Sequence, residues 1–348
     1  MNFAEEILKW YHVNKRDLPW RATTDPYKIW LSEIMLQQTR VAQGTPYYHA
    51  FVENFPTVRD LADAPEEKVM KLWQGLGYYS RARNLHATAQ KVAYELNGQF
   101  PDTYKGLLGL KGVGDYTASA IASISFGRPE PVVDGNVYRV LSRFFGIDTP
   151  INSTQGIAYF KELAREVMHS SEIRDYNQGI MEFGAVQCTP QNPNCMFCPL
   201  SEGCQALKTN KVKELPVKLK KTKIKHLHFN YVVPISPKGE THLRQRTSKG
   251  IWRNLWEFPL LESEKEMTLP EIEAQLDQFP IINKVHTVFR FNEMPIVHKL
   301  SHRHLHTVFW IVELKDELKD GISFSKAEEF AVPVLIAEFL KTFKNSYF

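Results

Sequence analysis

The chain has 348 residues, 43% hydrophobic and 24% charged, with a formal net charge of +4. That length supports two domains with cores of their own, and the composition is that of an ordinary globular protein. It excludes a membrane-spanning chain, because no apolar run reaches the length of a bilayer crossing, and the mild positive charge tilts the partner class toward polyanions.

The first stretch, "MNFAEEILKWYHVNKRDLPWR", is amphipathic and carries early acids but no continuous apolar segment. No signal peptide is expected, and the location expected is cytoplasmic. From here to about residue 207 the apolar residues recur at three- and four-residue spacing, which predicts helices.

"DPYKIWLSEIMLQQTRV" predicts a helix with Tyr27, Trp30, Leu31, Ile34 and Met35 on its apolar face. Glu33 falls on the flank of that face. Two readings stand: a surface glutamate in an ion pair, or a desolvated carboxyl that keeps its proton and can act as a general acid.

"LLGLKGVGDYTASAIASISFG" predicts helix, tight turn, helix, the second helix starting near Asp115. Gly112 and Gly114 punctuate the turn. Glycine permits positive φ and close approach of another backbone. The helix start then offers N–H groups to a phosphate oxygen, or the segment is a plain helical hairpin.

"EPVVDGNVYRVLSRFFG" predicts a helix opening just after Asp134. Asp134 is then an N-cap, or a fixed carboxylate placed to face developing positive charge, as glycosidic cleavage requires.

"CTPQNPNCMFCPLSEGC" sets Cys188, Cys195, Cys198 and Cys204 within 17 residues. Four thiols gathered in a proline-containing loop point to a metal centre. The spacing admits zinc or an iron–sulfur cluster, although zinc ribbons usually carry two CxxC knuckles and this array has one.

"KTNKVKELPVKLKKTKIK" follows, with eight lysines and one glutamate. It reads as a solvated linker or as an arm for phosphates. Beyond it, "HFNYVVPIS", "THLRQRT", "NKVHTVFRFNE" and "LHTVFWIVEL" predict strands, while "LPEIEAQLDQF" and "VPVLIAEFLKTF" predict helices. The boundaries expected are an all-α domain at 1–207 with its metal loop at 188–204, a lysine-rich linker at 208–227, and an α+β domain at 228–348.

The stretches "RDLPWR", "YKIWLSEIMLQQTRV", "WQGLGYYSRARNLH", "LKGVGDYTASAI", "VDGNVYRVLSR" and the four-cysteine array together resemble the adenine DNA glycosylases of the MutY type, in the endonuclease III helix-hairpin-helix superfamily. The likeness spans nearly all of residues 10 to 220. It implies an all-α helix-hairpin-helix glycosylase domain with an iron–sulfur cluster loop, then a Nudix-like domain that recognises 8-oxoguanine. It implies one [4Fe–4S] cluster per chain on Cys188, Cys195, Cys198 and Cys204, and a cation at the hairpin turn around Gly112 and Gly114. The implied partner is double-stranded DNA with adenine opposite 8-oxoguanine or guanine. Replication or mismatch-repair proteins are further candidate partners, and a monomer is expected.

The resemblance also implies roles. Glu33 protonates a flipped-out adenine. Asp134, supported by Asn136 and Tyr116, stabilises the oxocarbenium ion. Arg16, Trp20, Arg21, Leu36 and Gln178 match the positions lining the adenine pocket. Gln38, Leu76 and Tyr78 match those that probe the duplex. Lyase-competent relatives carry lysine where this chain has Tyr116, so base removal without strand cleavage is implied. In the second domain the acidic Nudix helix is missing. The lesion-reading Phe-Ser-His becomes Leu300, Ser301 and His302, which keeps the polar pair and loses the ring. His298, His304 and His306 lie nearby, and are read as the polar face of a strand. A lyase acting on oxidised pyrimidines, a non-catalytic DNA-binding protein and a nucleotide hydrolase are the alternatives. Tyr116, the pair Glu33 and Asp134, and the missing acidic helix argue against them in turn.

Overall fold

The computed structural model describes residues 2–219 and 224–347. Residues 220–223 of the expected linker lie outside that set. The chain divides into two compact units, one of Met1–Asp63 with Asn84–Lys220 and one of Ala64–Arg83 with Lys221–Phe348. The sequence places 64–83 in the first domain. In the structure this segment groups by contact with the second unit: Lys71 donates to the carbonyls of Glu328 and Phe330, and Asn254 donates to Glu66.

The first unit is helical. Helix Pro26–Leu36 starts where Asp25 accepts from the Tyr27 N–H and proline occupies the first turn. Helix Asp115–Phe126 begins at Gly114 and stops at Gly127 in the left-handed conformation. Helix Gly135–Phe145 is capped by Asp134 and also ends on a left-handed glycine, Gly146. Helix Ile173–Val186 lies against helix Phe3–Asn14, and a Cβ at Gly179 would come within 3.1 Å of the Tyr11 Cβ. Trp30, Phe51, Phe55, Phe160 and Tyr176 are fully buried in this unit.

The described part of the lysine-rich segment is not free of the first unit. The Ile151 N–H donates to the Val217 carbonyl, and Asn152 exchanges two hydrogen bonds with Leu219.

The second unit carries a five-stranded mixed sheet. Strand Lys225–Ile235 runs antiparallel to Leu260–Ser263 and parallel to Arg303–Leu314. Strands Val285–Arg290 and Ile296–Lys299 both pair antiparallel with Arg303–Leu314, at its two ends. One face packs an aliphatic cluster that includes Val232, Ile272, Val308 and Val312. The other stacks Tyr231 on Phe309 at 5.4 Å and Phe309 on Phe339 at 4.0 Å, bringing in helix Val334–Tyr347. "THLRQRT" forms only two-residue strands at Glu240–Thr241 and Arg244–Gln245. Among the described residues no helix is long and apolar enough to cross a membrane.

Candidate active site

Two helix starts and the middle of a third helix bring the predicted carboxylates together. Glu33 sits in helix Pro26–Leu36 and is 7% exposed, so the ion-paired surface reading is excluded. Burial, reinforced by the charge of Asp134, pushes its carboxyl up to about 7, against a hydrogen bond from Tyr116 that favours the anion. The Tyr116 hydroxyl, in the first turn of Asp115–Phe126, also lies 3.3 Å from the Met181 sulfur, a competing acceptor for its one proton. Burial and the neighbouring Glu33 and Asp134 hold that phenol well above its ordinary range, so it stays protonated.

Asp134 is the N-cap of helix Gly135–Phe145, and it lies close enough to Glu33 for its charge to act on that carboxyl. Its Oδ1 accepts from the Asn136 and Val137 N–H groups at 2.8 Å each, and its Oδ2 accepts from the Asn136 amide at 2.7 Å. Burial raises this carboxyl too, opposed by those three donors. The result is two acids in unlike settings: Glu33 has one hydrogen-bond donor and apolar surroundings, while Asp134 is anchored by three. That asymmetry suits one as proton donor and the other as anion.

Arg139 extends the anchor. Its guanidinium donates to Asn136 Oδ1 at 2.9 Å, to the Gly184 carbonyl at 2.6 Å and to the Cys188 carbonyl at 2.8 Å. One turn later Arg143 donates to the Thr189 and Pro190 carbonyls and approaches Cys188 Sγ at 3.4 Å. The four cysteines, reduced and partly buried, ring a cavity of about 30 Å³ behind this helix. Burial and the other sulfurs raise the Cys195, Cys198 and Cys204 thiols, Cys198 to about 11. Among the described residues no three His, Cys, Asp or Glu side chains converge on a single ion position.

Arg16 and Arg21 meet on one acid that the sequence reading missed. Glu182 accepts from Arg16 at 2.7 Å through both oxygens and from Arg21 at 2.7 Å. Burial alone would raise its carboxyl, but the two guanidiniums outweigh it and bring it down to about 2. Gln178, buried one turn before Glu182, gave the only clue, since residues four apart share a helix face. Trp20 is buried with its ring edge-on to Tyr48, and Leu36 leans over Gly44.

The hairpin turn has the expected form. Gly112 adopts φ +79 and presses on Asn84, where a Cβ would come within 2.8 Å of the Asn84 Cβ. The Lys111 carbonyl accepts from Thr88 Oγ1 at 2.8 Å, and the Leu110 carbonyl from the Val113 N–H. Gly114, exposed, opens the next helix.

Of the residues expected to touch the duplex, Gln38 and Tyr78 are exposed and both hold positive φ. Leu76 is a correction: at 4% exposure it is a core residue, and its N–H is tied to the Trp73 carbonyl. Within the second unit Tyr78 and Ser301 hydroxyls lie 2.8 Å apart. They line a cavity of about 480 Å³ with Trp252, His298, Leu300 and His302. Trp252 carries no sequence signal, and His298 is legible only as part of a strand's polar face, because the two come from separate segments of the chain.

Residues 31–167 match the HhH-GPD superfamily of base excision DNA repair proteins, and residues 230–342 match the NUDIX domain. An adenine DNA glycosylase of Buchnera aphidicola (subspecies Schizaphis graminum) is 34% identical over 354 residues, covering 98% of this chain and 99% of that one. The adenine DNA glycosylase of Homo sapiens is 46% identical over 213 residues, 59% of this chain and 39% of its own. Among solved structures, a thermostable thymine-DNA glycosylase superposes with a TM-score of 0.56 at 32% identity, over 60% of this chain and 95% of its own. A non-covalent endonuclease III–DNA complex shares the fold with a TM-score of 0.52 at 23% identity, over 60% of this chain and 94% of its own. The chain belongs to the adenine DNA glycosylase family, within the helix-hairpin-helix superfamily of base-excision DNA repair enzymes.

Proposed function

We propose that this chain excises adenine mispaired with 8-oxoguanine or guanine in duplex DNA, by hydrolysis alone, leaving an abasic site. The observation that carries the reading is the buried Glu33, with its carboxyl near 7, beside an anchored Asp134. A flipped adenine is a poor leaving group until a ring nitrogen is protonated. Glu33 supplies that proton. Asp134 then faces the oxocarbenium-like sugar as an anion held by Asn136, and water adds at the sugar with its proton passing to the Glu33 carboxylate. Tyr116 orients Glu33 and has no amine with which to attack the sugar.

Arg16 and Arg21, fixed by Glu182, and the buried Gln178 are assigned to the adenine pocket. The N–H groups around Gly112 and Gly114 are assigned to phosphates, and the Leu110 and Lys111 carbonyls to the cation of the turn. The cavity bounded by Tyr78, Ser301 and His302 has a volume within the usual range for a ligand the size of a base. It is assigned to the base opposite adenine, with hydroxyl and imidazole groups for its polar edge and Leu300 giving apolar contact without stacking.

The cysteine loop fits a [4Fe–4S] cluster by the chemistry of its donors. Burial makes the Cys195, Cys198 and Cys204 thiols weaker acids than usual, so ionising them calls for a compensating positive centre, and Arg139 and Arg143 supply only part of it. The array carries one CxxC spacing where zinc ribbons usually carry two, which favours an iron–sulfur cluster over zinc. Bound there, the cluster holds the thiolates and fixes the loop 188–204.

The test is a duplex with one adenine opposite 8-oxoguanine, incubated with excess protein and resolved with and without hot alkali. Strand breakage only after alkali supports hydrolysis alone. Breakage without alkali contradicts it, and no breakage in either lane removes the glycosylase reading.

A further inference from the structure

The stretch Glu130–Val133, which leads into Asp134, forms neither helix nor strand. Its backbone groups must find partners elsewhere. Two side chains provide them. Lys161, from helix Thr154–Val167, donates to the Pro131 carbonyl at 2.8 Å. Asn177, from helix Ile173–Val186, donates to the Glu130 carbonyl at 2.8 Å and accepts from the Val132 N–H at 3.3 Å.

Both side chains also grip helix Asp115–Phe126. The Lys161 ammonium donates to the Asp115 carboxylate at 3.1 Å and to Ser119 Oγ at 2.8 Å, and Asn177 donates to Ser123 Oγ at 2.8 Å. Asp115 is held from its other oxygen by the Tyr104 hydroxyl at 2.5 Å. An ammonium has three N–H donors, and Lys161 finds an acceptor for each. Burial draws this ammonium below the ordinary lysine range, against the pull of Asp115. The Asp115 carboxylate is half-exposed, so that ion pair alone is worth little, whereas Ser119 and Pro131 are buried.

Lys161 therefore stands between two parts of the site that must stay aligned. Asp115 precedes Tyr116 directly, and Pro131 lies three residues before Asp134. A misplacement of about 1 Å at a reacting group can cost roughly 100-fold in rate. We propose that Lys161 is a positioning residue for the carboxylate pair, fastening the helix that carries Tyr116 to the segment that carries Asp134. It touches neither adenine nor sugar, and its role rests on the excision chemistry proposed for Glu33 and Asp134.

The test is Lys161→Met, which keeps the aliphatic stem and removes the donors. Single-turnover excision by excess protein on the adenine:8-oxoguanine duplex is expected to fall about 10-fold or more. Affinity for the same duplex carrying a non-cleavable 2′-fluoro adenosine is expected to stay within about threefold of wild type. Lys161→Arg, which keeps the charge and the N–H donors, is expected to restore most of the rate. Hydrogen exchange at the amides of 132–136 is expected to quicken in Lys161→Met, with helix Phe3–Asn14 unchanged. Circular dichroism verifies folding, and Lys161→Gln, too short to span all three acceptors, takes the place of a Lys161→Met that does not fold. Excision within about twofold of wild type, a loss confined to duplex affinity, or unchanged exchange at 132–136 overturns the proposal. A wild type that excises nothing removes the glycosylase reading instead, and the exchange measurement then decides whether Lys161 fastens the two segments.

Discussion

Gly184 packs so closely on Asn136 that a Cβ at position 184 would lie 2.8 Å from the Asn136 carbonyl oxygen and 2.7 Å from its Cβ. Both contacts fall below what a real Cβ tolerates, and one is to backbone that cannot swing away. Asn136 is also the residue that fixes Asp134. Gly184→Ala is therefore expected to lower single-turnover adenine excision by at least 10-fold. Excision at the wild-type rate would show that the start of helix Gly135–Phe145 can shift without moving the carboxylate.

Glu33→Gln removes the proton donor while keeping its shape. Loss of a general acid typically slows a reaction 10²–10⁴-fold, so excision is expected to fall at least 100-fold while binding of the lesion duplex persists. In the wild type the active form of Glu33 is protonated. The single-turnover rate is accordingly expected to decline as pH rises through about 7. A flat profile between pH 6 and 8.5 would remove Glu33 from the proton-transfer step.

The same residue has the opposite effect on stability. Its carboxyl holds a proton more tightly in the folded chain, at about 7, than in the unfolded chain, near 4.5. Folding is thus unpenalised below about 4.5, and the penalty grows as pH rises until it is complete above about 7. At 1.36 kcal/mol per pKa unit the full effect is roughly 3–4 kcal/mol. Glu33→Gln is expected to raise the unfolding midpoint at pH 8, and the gain should vanish below pH 4.5. Differential scanning fluorimetry across that range checks both ends.

Arg139→Met tests the buried guanidinium. It leaves Asn136 Oδ1 and the Gly184 and Cys188 carbonyls without their donor. Each orphaned group costs about 1–3 kcal/mol, so a loss of about 3 kcal/mol or more in stability is expected. Denaturant unfolding of the two proteins with matched iron content measures it.

Cys198→Ser is expected to abolish iron and sulfide binding, which elemental analysis of the purified protein reads directly. Retention of one zinc per chain in the wild type, with no iron, would refute the cluster assignment.

The sequence by itself determined where the main helices and the long strands of the sheet lie. Glycines and N-caps mark where helices Asp115–Phe126 and Gly135–Phe145 begin, because those positions have local backbone requirements that only certain residues meet. The cysteine spacing pointed to a metal loop, and the β-branched and aromatic residues of "LHTVFWIVEL" to a strand, for equally local reasons. Whether Glu33 was a surface ion or a buried acid was not local: its environment is made by Tyr116 and Asp134, roughly eighty and a hundred positions downstream. The same holds for Glu182 beneath Arg16 and Arg21, for Leu76 in the core, and for Lys161 between Asp115 and Pro131. Each depends on which distant segments fold against one another, and burial and charge pairing are properties of that assembled surrounding, absent from any single stretch of chain.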